Sequence, residues 1–581
     1  MQSRRLLMAT LLALGVGMPA RLHAQPSGAV QRNLQDEQIR DALQDLQEQE
    51  LRQDQRRLIE GVPTDQSPSS GADHGQAPPV EGERIRQVVI RGGEFLSPKF
   101  VDGLRAKYLG RPADQASLDG LRGEVEREYR RMNYLAVVGQ PAEIEGKVTI
   151  PVVVATLDAV RIESNTAPIP DKWAIQTVTD SIPLGDPIRL TKLESAMLKL
   201  NDLGAVKAKA RVAQGSEPGS SQVLLRLEKL DQVMGAVALN NYVIQFTGPY
   251  QVQPNVTFLG LMGRGEKVNV SGAYSGNIDW YGSRQIAFMA EYPLTPDGLG
   301  FLGNYSYSDY RLLQDLTVDN YLGEFQSGSV GLSQVLWRRP KTNLSVRVVG
   351  ELNQFEDAVL DFTYSDRHNL LGRVSLLGDH QDSWFNGIGL NNALFSASVG
   401  SLSHYAEGEP EFDDLTIDAG GVWGKLNLLY NRYQMFKSSQ FSMEFLGQGQ
   451  LAFNNLDSAQ KMSLGWPLGV RAYPPGEAAG DSGVSAQLTG RYQVAANVSF
   501  RGYVDGGYIW RWTNAWIGMP NLNSLGLWGP GIGVDWGTRG DLLLSADLAF
   551  PLGNNPYGVN GLDIDGENPS ARFWISLRKW L

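Results

Sequence analysis

From residue 233 to 581 the chain alternates apolar and polar residues with a period of two, in short runs joined by loops rich in Gly, Asn and Asp. Val268, Val270 and Tyr274 oppose Lys267, Asn269 and Ser271; Leu344, Val346 and Val348 oppose Asn343, Ser345 and Arg347; Val484, Ala486 and Leu488 oppose Ser485, Gln487, Thr489 and Arg491. Side chains two apart share one face of a strand, so the pattern predicts a large antiparallel sheet with one apolar and one polar face. The polar face carries ions and therefore meets water. A soluble sandwich would turn that face outward and a membrane barrel would turn it inward; the alternation alone fits either.

The amino terminus favours the barrel. Arg4-Arg5 precede an apolar run from Leu6 to about Met18 and then small residues, which predicts a secretory signal over residues 1–24 with cleavage after Ala24. An anchoring helix would need about 20 apolar residues, and no later run approaches that length. An exported chain without membrane helices crosses lipid only as a closed barrel, the one sheet that leaves no backbone group unpaired. Roughly 16 strands fit between residues 232 and 581, an even number that returns both ends to one side. The chain has 581 residues, too many for one ordinary core, so further folded units are expected. Cysteine is absent, which excludes a disulfide scaffold, Cys-ligated zinc and a thiol nucleophile. The net charge of -11 argues against a nucleic-acid partner, which would require a basic face.

Ahead of the sheet, residues 34–59 are rich in Gln, Glu, Asp and Arg, lack Gly and Pro, and favour helix. Ile39, Leu43 and Leu46 form one short apolar stripe, so the helix must sit in water, in a polar cavity or as a spacer. Residues 61–82 are rich in Pro, Gly and Ser and predict a flexible tether. Residues 83 to 231 repeat with a period of about 75 residues: Leu109-Gly110-Arg111-Pro112 recurs as Leu184-Gly185-Asp186-Pro187, and the stripe Leu118, Leu121, Val125 recurs as Leu193, Ala196, Leu200. Each unit reads strand, helix, helix, strand, strand. In the first, Val88 and Ile90 alternate, Ser97-Pro98 supplies a cap and an N1 proline, the helix stripe continues to Tyr129, and Val148, Ile150, Val152 and Val154 alternate on the closing strand. The second unit ends on the alternation Val223, Leu225, Leu227.

Two motifs carry the functional reading. Val470-Arg471-Ala472-Tyr473-Pro474, continued by Gly476-Glu477, sets one cation and one ring on a Gly/Pro-rich loop that is neither helix nor ladder. Further on, Asn497, Ser499, Arg501, Tyr503 and Asp505 share one face of a strand opposite Val498, Phe500, Gly502 and Val504. The loop resembles the inward-folding V-R-G-Y loop of outer-membrane transporters with periplasmic POTRA domains, and Tyr503-Val504-Asp505-Gly506-Gly507 resembles their aromatic-x-Asp-x-Gly strand motif. The chain looks most like the two-partner secretion branch. That resemblance implies a mixed fold: an N-terminal plug α-helix (25–60, bearing Ile39, Leu43 and Leu46), a linker (61–82), two periplasmic α+β POTRA domains (83–157 and 158–231) and a 16-stranded antiparallel transmembrane β-barrel (232–581). It further implies that Val470, Arg471, Ala472, Tyr473 and Pro474 form a latch received by Tyr503, Asp505 and Gly507. Arg471 would then pair with Asp505, partly screened from bulk water and contributing about 0 to 1 kcal/mol if exposed. The implied partners are an unfolded secreted exoprotein, outer-membrane lipid and, during biogenesis, the barrel-assembly machinery; no cofactor, metal or catalytic residue is implied. The alternatives are a barrel-assembly insertase of the same superfamily, a secreted or surface serine hydrolase using Ser482 and, third, a plain porin.

Three strings suggest other chemistry. Gly480-Asp481-Ser482-Gly483 resembles a serine-hydrolase nucleophile, without a motif that supplies its histidine. Gly529, Gly531 and Gly533 mimic a dinucleotide loop, yet Leu542, Leu544 and Ala546 continue as strand where that motif needs a helix. Asp563-Ile564-Asp565-Gly566 resembles the start of a calcium loop but lacks the later glutamate.

Overall fold

The computed structural model describes residues 59–60 and 83–581, except 244, 277–281, 313–320, 361, 438–439, 517–518, 520 and 559–560. The expected signal (1–24), the plug stripe Ile39, Leu43 and Leu46, and the linker (61–82) lie outside the described residues.

The repeat folds into two α+β units. In the first, β2 (Gln87–Arg91) lies parallel to β5 (Lys147–Val154), which also pairs with β3 (Ala136–Val138) and β4 (Ala142–Ile144). Helices α1 (Pro98–Tyr108) and α2 (Gln115–Arg131) cover this sheet. Ser97 caps α1 by accepting from the Phe100 N–H at 3.2 Å, and Asp114 caps α2 by accepting from the Ser117 N–H at 2.8 Å. Leu118, Leu121, Val125 and Tyr129 step along α2 onto Val148, Ile150 and Val152. The Ser117 N–H holds the Asp114 carboxyl below its usual value.

The second unit comprises β6 (Thr156–Asn165), α3 (Asp171–Ser181), α4 (Leu190–Asn201), β7 (Val206–Gln214) and β8 (Ser220–Lys229). Its core unites Leu193, Ala196 and Leu200 with Val223, Leu225 and Leu227. Because β6 starts at Thr156, the boundary expected at 157/158 falls inside a strand.

One correction concerns the N-terminal helix, expected to run to residue 59 or 60. Ile59–Glu60 is instead a strand, β1, parallel to β7 with Ile59 opposite Ala210 and Glu60 opposite Arg211. An edge strand offers unpaired N–H and C=O groups, and tertiary pairing overrides the helical propensity of so short a stretch.

The remainder closes into a 16-stranded antiparallel barrel, from Val233–Asn240 round to Arg572–Trp580, whose seam pairs Asn240 with Ser576 and Ala236 with Trp580. Exposure identifies the faces. Phe500 and Val504 are 54% and 55% exposed, whereas Ser499, Tyr503 and Asp505 on the opposite face are buried. The apolar face is outside and the polar face inside, as in a membrane barrel rather than a sandwich. Asn497 stands in the turn before this strand, which begins at Val498, and the last strand stops at Trp580, one residue before Leu581.

The second unit follows straight into the first barrel strand and is clamped to that rim. Asp202, just beyond α4, takes Arg338 Nε and Nη2 at 2.6 and 2.7 Å, and Gly204 N–H donates to Gly265 O at 2.7 Å. Strands Tyr321–Arg339, Thr342–Val359, Phe362–Asp382 and Gly387–His404 have 19, 18, 21 and 18 residues. A bilayer needs about 9–11, so these project well beyond it.

Candidate functional site

The loop from 453 to 481 joins strands Phe441–Ala452 and Ser482–Ala495 and folds into the lumen; a two-residue hairpin, Met462–Ser463 with Ala479–Gly480, closes its neck. Beyond that neck almost every residue of the tip is buried, among them Val470, Ala472 and Tyr473 at 0%, 0% and 1% exposure. Val470, Ala472 and Tyr473 pack with Leu464, Ile509, Leu525 and Leu527, and Pro474 is buried beside them.

Arg471 Nε and Nη2 each lie 2.7 Å from an oxygen of Asp505, and the Arg471 backbone N–H donates to the same carboxylate at 3.1 Å. Nη2 also donates to Thr489 Oγ1 at 2.9 Å, and the guanidinium carbon stands 3.5 Å from the Tyr503 ring centroid. Across the lumen, Trp574 Nε1–H donates to the Arg471 carbonyl at 2.6 Å, and Gln487 donates to the carbonyls of Pro467 and Gly469 at 3.1 and 2.6 Å. Bidentate geometry fixes the direction of the guanidinium as well as its distance.

Missing side chains make room for the tip. A Cβ at Gly507 would stand 2.6 Å from Leu464 Cδ2, and one at Gly529 would stand 2.5 Å from Ala472 Cβ. The glycine run that mimics a dinucleotide loop lies on strand Ser524–Thr538, where Gly529 gives space to the latch.

The structure brings Arg471, Tyr503 and Asp505 together, with one revision. The pair is not partly screened but buried, its side chains 5% and 0% exposed. Truncating one member of a buried pair costs about 3–5 kcal/mol, because the other charge is stranded, which replaces the smaller figure expected of a solvated pair. The motif reading missed Thr489, Gln487 and Trp574. All three were legible as lumen-facing by alternation, Trp574 between the outward Phe573 and Ile575, but only the infolding of the loop brings Arg471 to them.

The other strings have structural roles. Ser482 Oγ accepts from Ala452 N–H at 3.0 Å, and Asp481 pairs with Lys461 at 2.7 Å. Asp563 and Asp565 each hold Arg572 at 2.6 Å, and the Ile564 N–H beside them donates to Glu477 of the loop at 2.7 Å.

Residues 219–536 match the family model described as haemolysin secretion/activation protein ShlB/FhaC/HecB. The chain is 23% identical over 507 residues to the heme/hemopexin transporter protein HuxB of Haemophilus influenzae, covering 85% of this chain and 86% of that protein. It is 22% identical over 473 residues to the outer membrane transporter CdiB of Dickeya dadantii, covering 78% and 80% of the two. Among solved structures, CdiB from Escherichia coli superposes with a TM-score of 0.70 at 19% identity, over 95% of this chain and 98% of that one.

Proposed function

The chain belongs to the haemolysin secretion/activation family ShlB/FhaC/HecB; it is an outer-membrane transporter that carries an exoprotein through its barrel, and we propose that the Arg471–Asp505 clasp sets the register of the loop occupying that passage. One observation carries this reading: the clasp joins the tip of a 453–481 loop to the wall at a point where both charges are out of water. A directional contact of this kind positions the tip reproducibly on the wall.

Client capture falls to the two POTRA units, by addition of an extended segment to a sheet edge. In support, β7 already accepts Ile59–Glu60 as a parallel strand, so its backbone is open to such pairing. Main-chain pairing makes few demands on sequence and suits an unfolded client. Folding of the client outside the cell would bias the direction of movement.

Arg471→Ala and Asp505→Ala are the test. Each should abolish or sharply reduce exoprotein in the culture supernatant, while heat-modifiable migration shows the barrel still assembled in the outer membrane. Full export by both variants would remove the clasp from the mechanism.

A further inference from the structure

The same loop is held a second time, by a residue in neither motif. Arg367, on strand Phe362–Asp382, is the largest fully buried side chain of the described residues. Its Nη2 donates to Asp357 Oδ2 at 3.1 Å on the neighbouring strand, its Nε to Ser365 Oγ at 2.9 Å, and its Nη1 to the carboxylate of Asp457, which lies on the incoming arm of the loop. Glu409 of the following extracellular loop stands 3.9 Å away.

The arm around Asp457 is stapled at each step. Asp457 also accepts from the Ala459 N–H at 2.8 Å; Ala459 packs on Phe325 and Phe355; the Gln460 carbonyl accepts from Lys425 at 2.8 Å and from Gln450 at 2.9 Å. The polar contacts of the tip lie on other strands, Ser482–Ala495, Val498–Trp510 and Arg572–Trp580, while Leu468 of the tip packs on Leu429 and Leu446 of the strands that carry Lys425 and Gln450. Between the two sets stands only the short neck Met462–Ser463 with Ala479–Gly480.

We propose that Arg367 is a positioning residue that keeps the 456–461 arm on the wall during export, so that the tip alone moves, as a flap hinged at the neck. This rests on the transport reading above. The charge balance favours it: Arg367 sits among Asp357, Asp457 and Glu409, and stripping Asp457 from it would leave a buried carboxylate without its cation.

The chain has no cysteine, so introduced thiols are the only ones present. Ala459→Cys with Phe325→Cys ties the arm to the wall; Leu468→Cys with Leu446→Cys ties the tip to the wall. Export should survive oxidation of the first pair and stop on oxidation of the second, recovering with reductant, with heat-modifiable migration reporting assembly of each. Asp457→Asn alone should lower export several-fold, and the oxidised 459–325 tether in that background should restore it, which a purely stabilising ion pair would not require. A reversible block by the arm tether, or full export by Asp457→Asn, overturns the hinge while leaving transport standing. Undiminished export with the tip tied would instead sink the view that the loop must move.

Discussion

Asp505 has no exposed side-chain surface, and that sets the scale of effect at the residue level. Loss of Arg471 strands its carboxylate, a penalty of about 3–5 kcal/mol borne by the loop's docked state and not by the barrel. Arg471→Lys keeps the charge but loses the fork, so it should behave closer to Ala than to wild type in the export assay. Gly529 acts by absence. Its missing Cβ would fall 2.5 Å from Ala472 Cβ and 2.6 Å from the Phe550 carbonyl, so Gly529→Ala should lower the thermal midpoint of heat-modifiable migration by an amount equivalent to about 1–3 kcal/mol. Adding Ala472→Gly should restore part of the loss, since it clears one of the two contacts; no recovery would show that the Phe550 contact alone decides. Tyr503 and Asp505 were legible because motif and alternation agreed on them, and Arg471 by its loop motif alone. Gly529 was legible as a glycine but not as a space.

Helices α1 and α2 were readable at the element level, since Ser97-Pro98 is a local start signal and the 118, 121, 125, 129 stripe fits one helical face. Local signals also make local predictions. Ser97→Ala should destabilise the first α+β unit by about 1 kcal/mol, read by denaturant unfolding of the purified protein followed at that unit's Tyr129 and Tyr134, with barrel assembly unchanged. Strand β4, three residues long, escaped the pattern because alternation needs more residues than that to register. β1 escaped for another reason: Ile59 and Glu60 follow a helix-favouring stretch, and only the open edge of β7, about 150 residues away in sequence, makes them extended.

Export through a barrel at the scale of the whole molecule requires that the lumen be emptied, and the clasped tip fills part of it. Residues 34–58 are proposed to fill more of it as a polar helix, tethered where β1 pairs with β7. Deleting them should raise ion conductance in planar bilayers; a conductance equal to that of the full chain would mean they sit elsewhere. By itself the sequence determined which residues share a face, where the repeat lies and which loop and strand carry the matching cation and carboxylate, because each of these is written in spacings of two to four residues or in a period along the chain. Only the tertiary structure decided that the polar face is enclosed, that the Arg471–Asp505 pair is dry, and that the loop has a second hold. Trp574 meets Arg471 across 103 residues and Arg367 meets Asp457 across 90, and the folding of the 453–481 loop into the lumen, which no local pattern encodes, brings each pair within hydrogen-bonding reach.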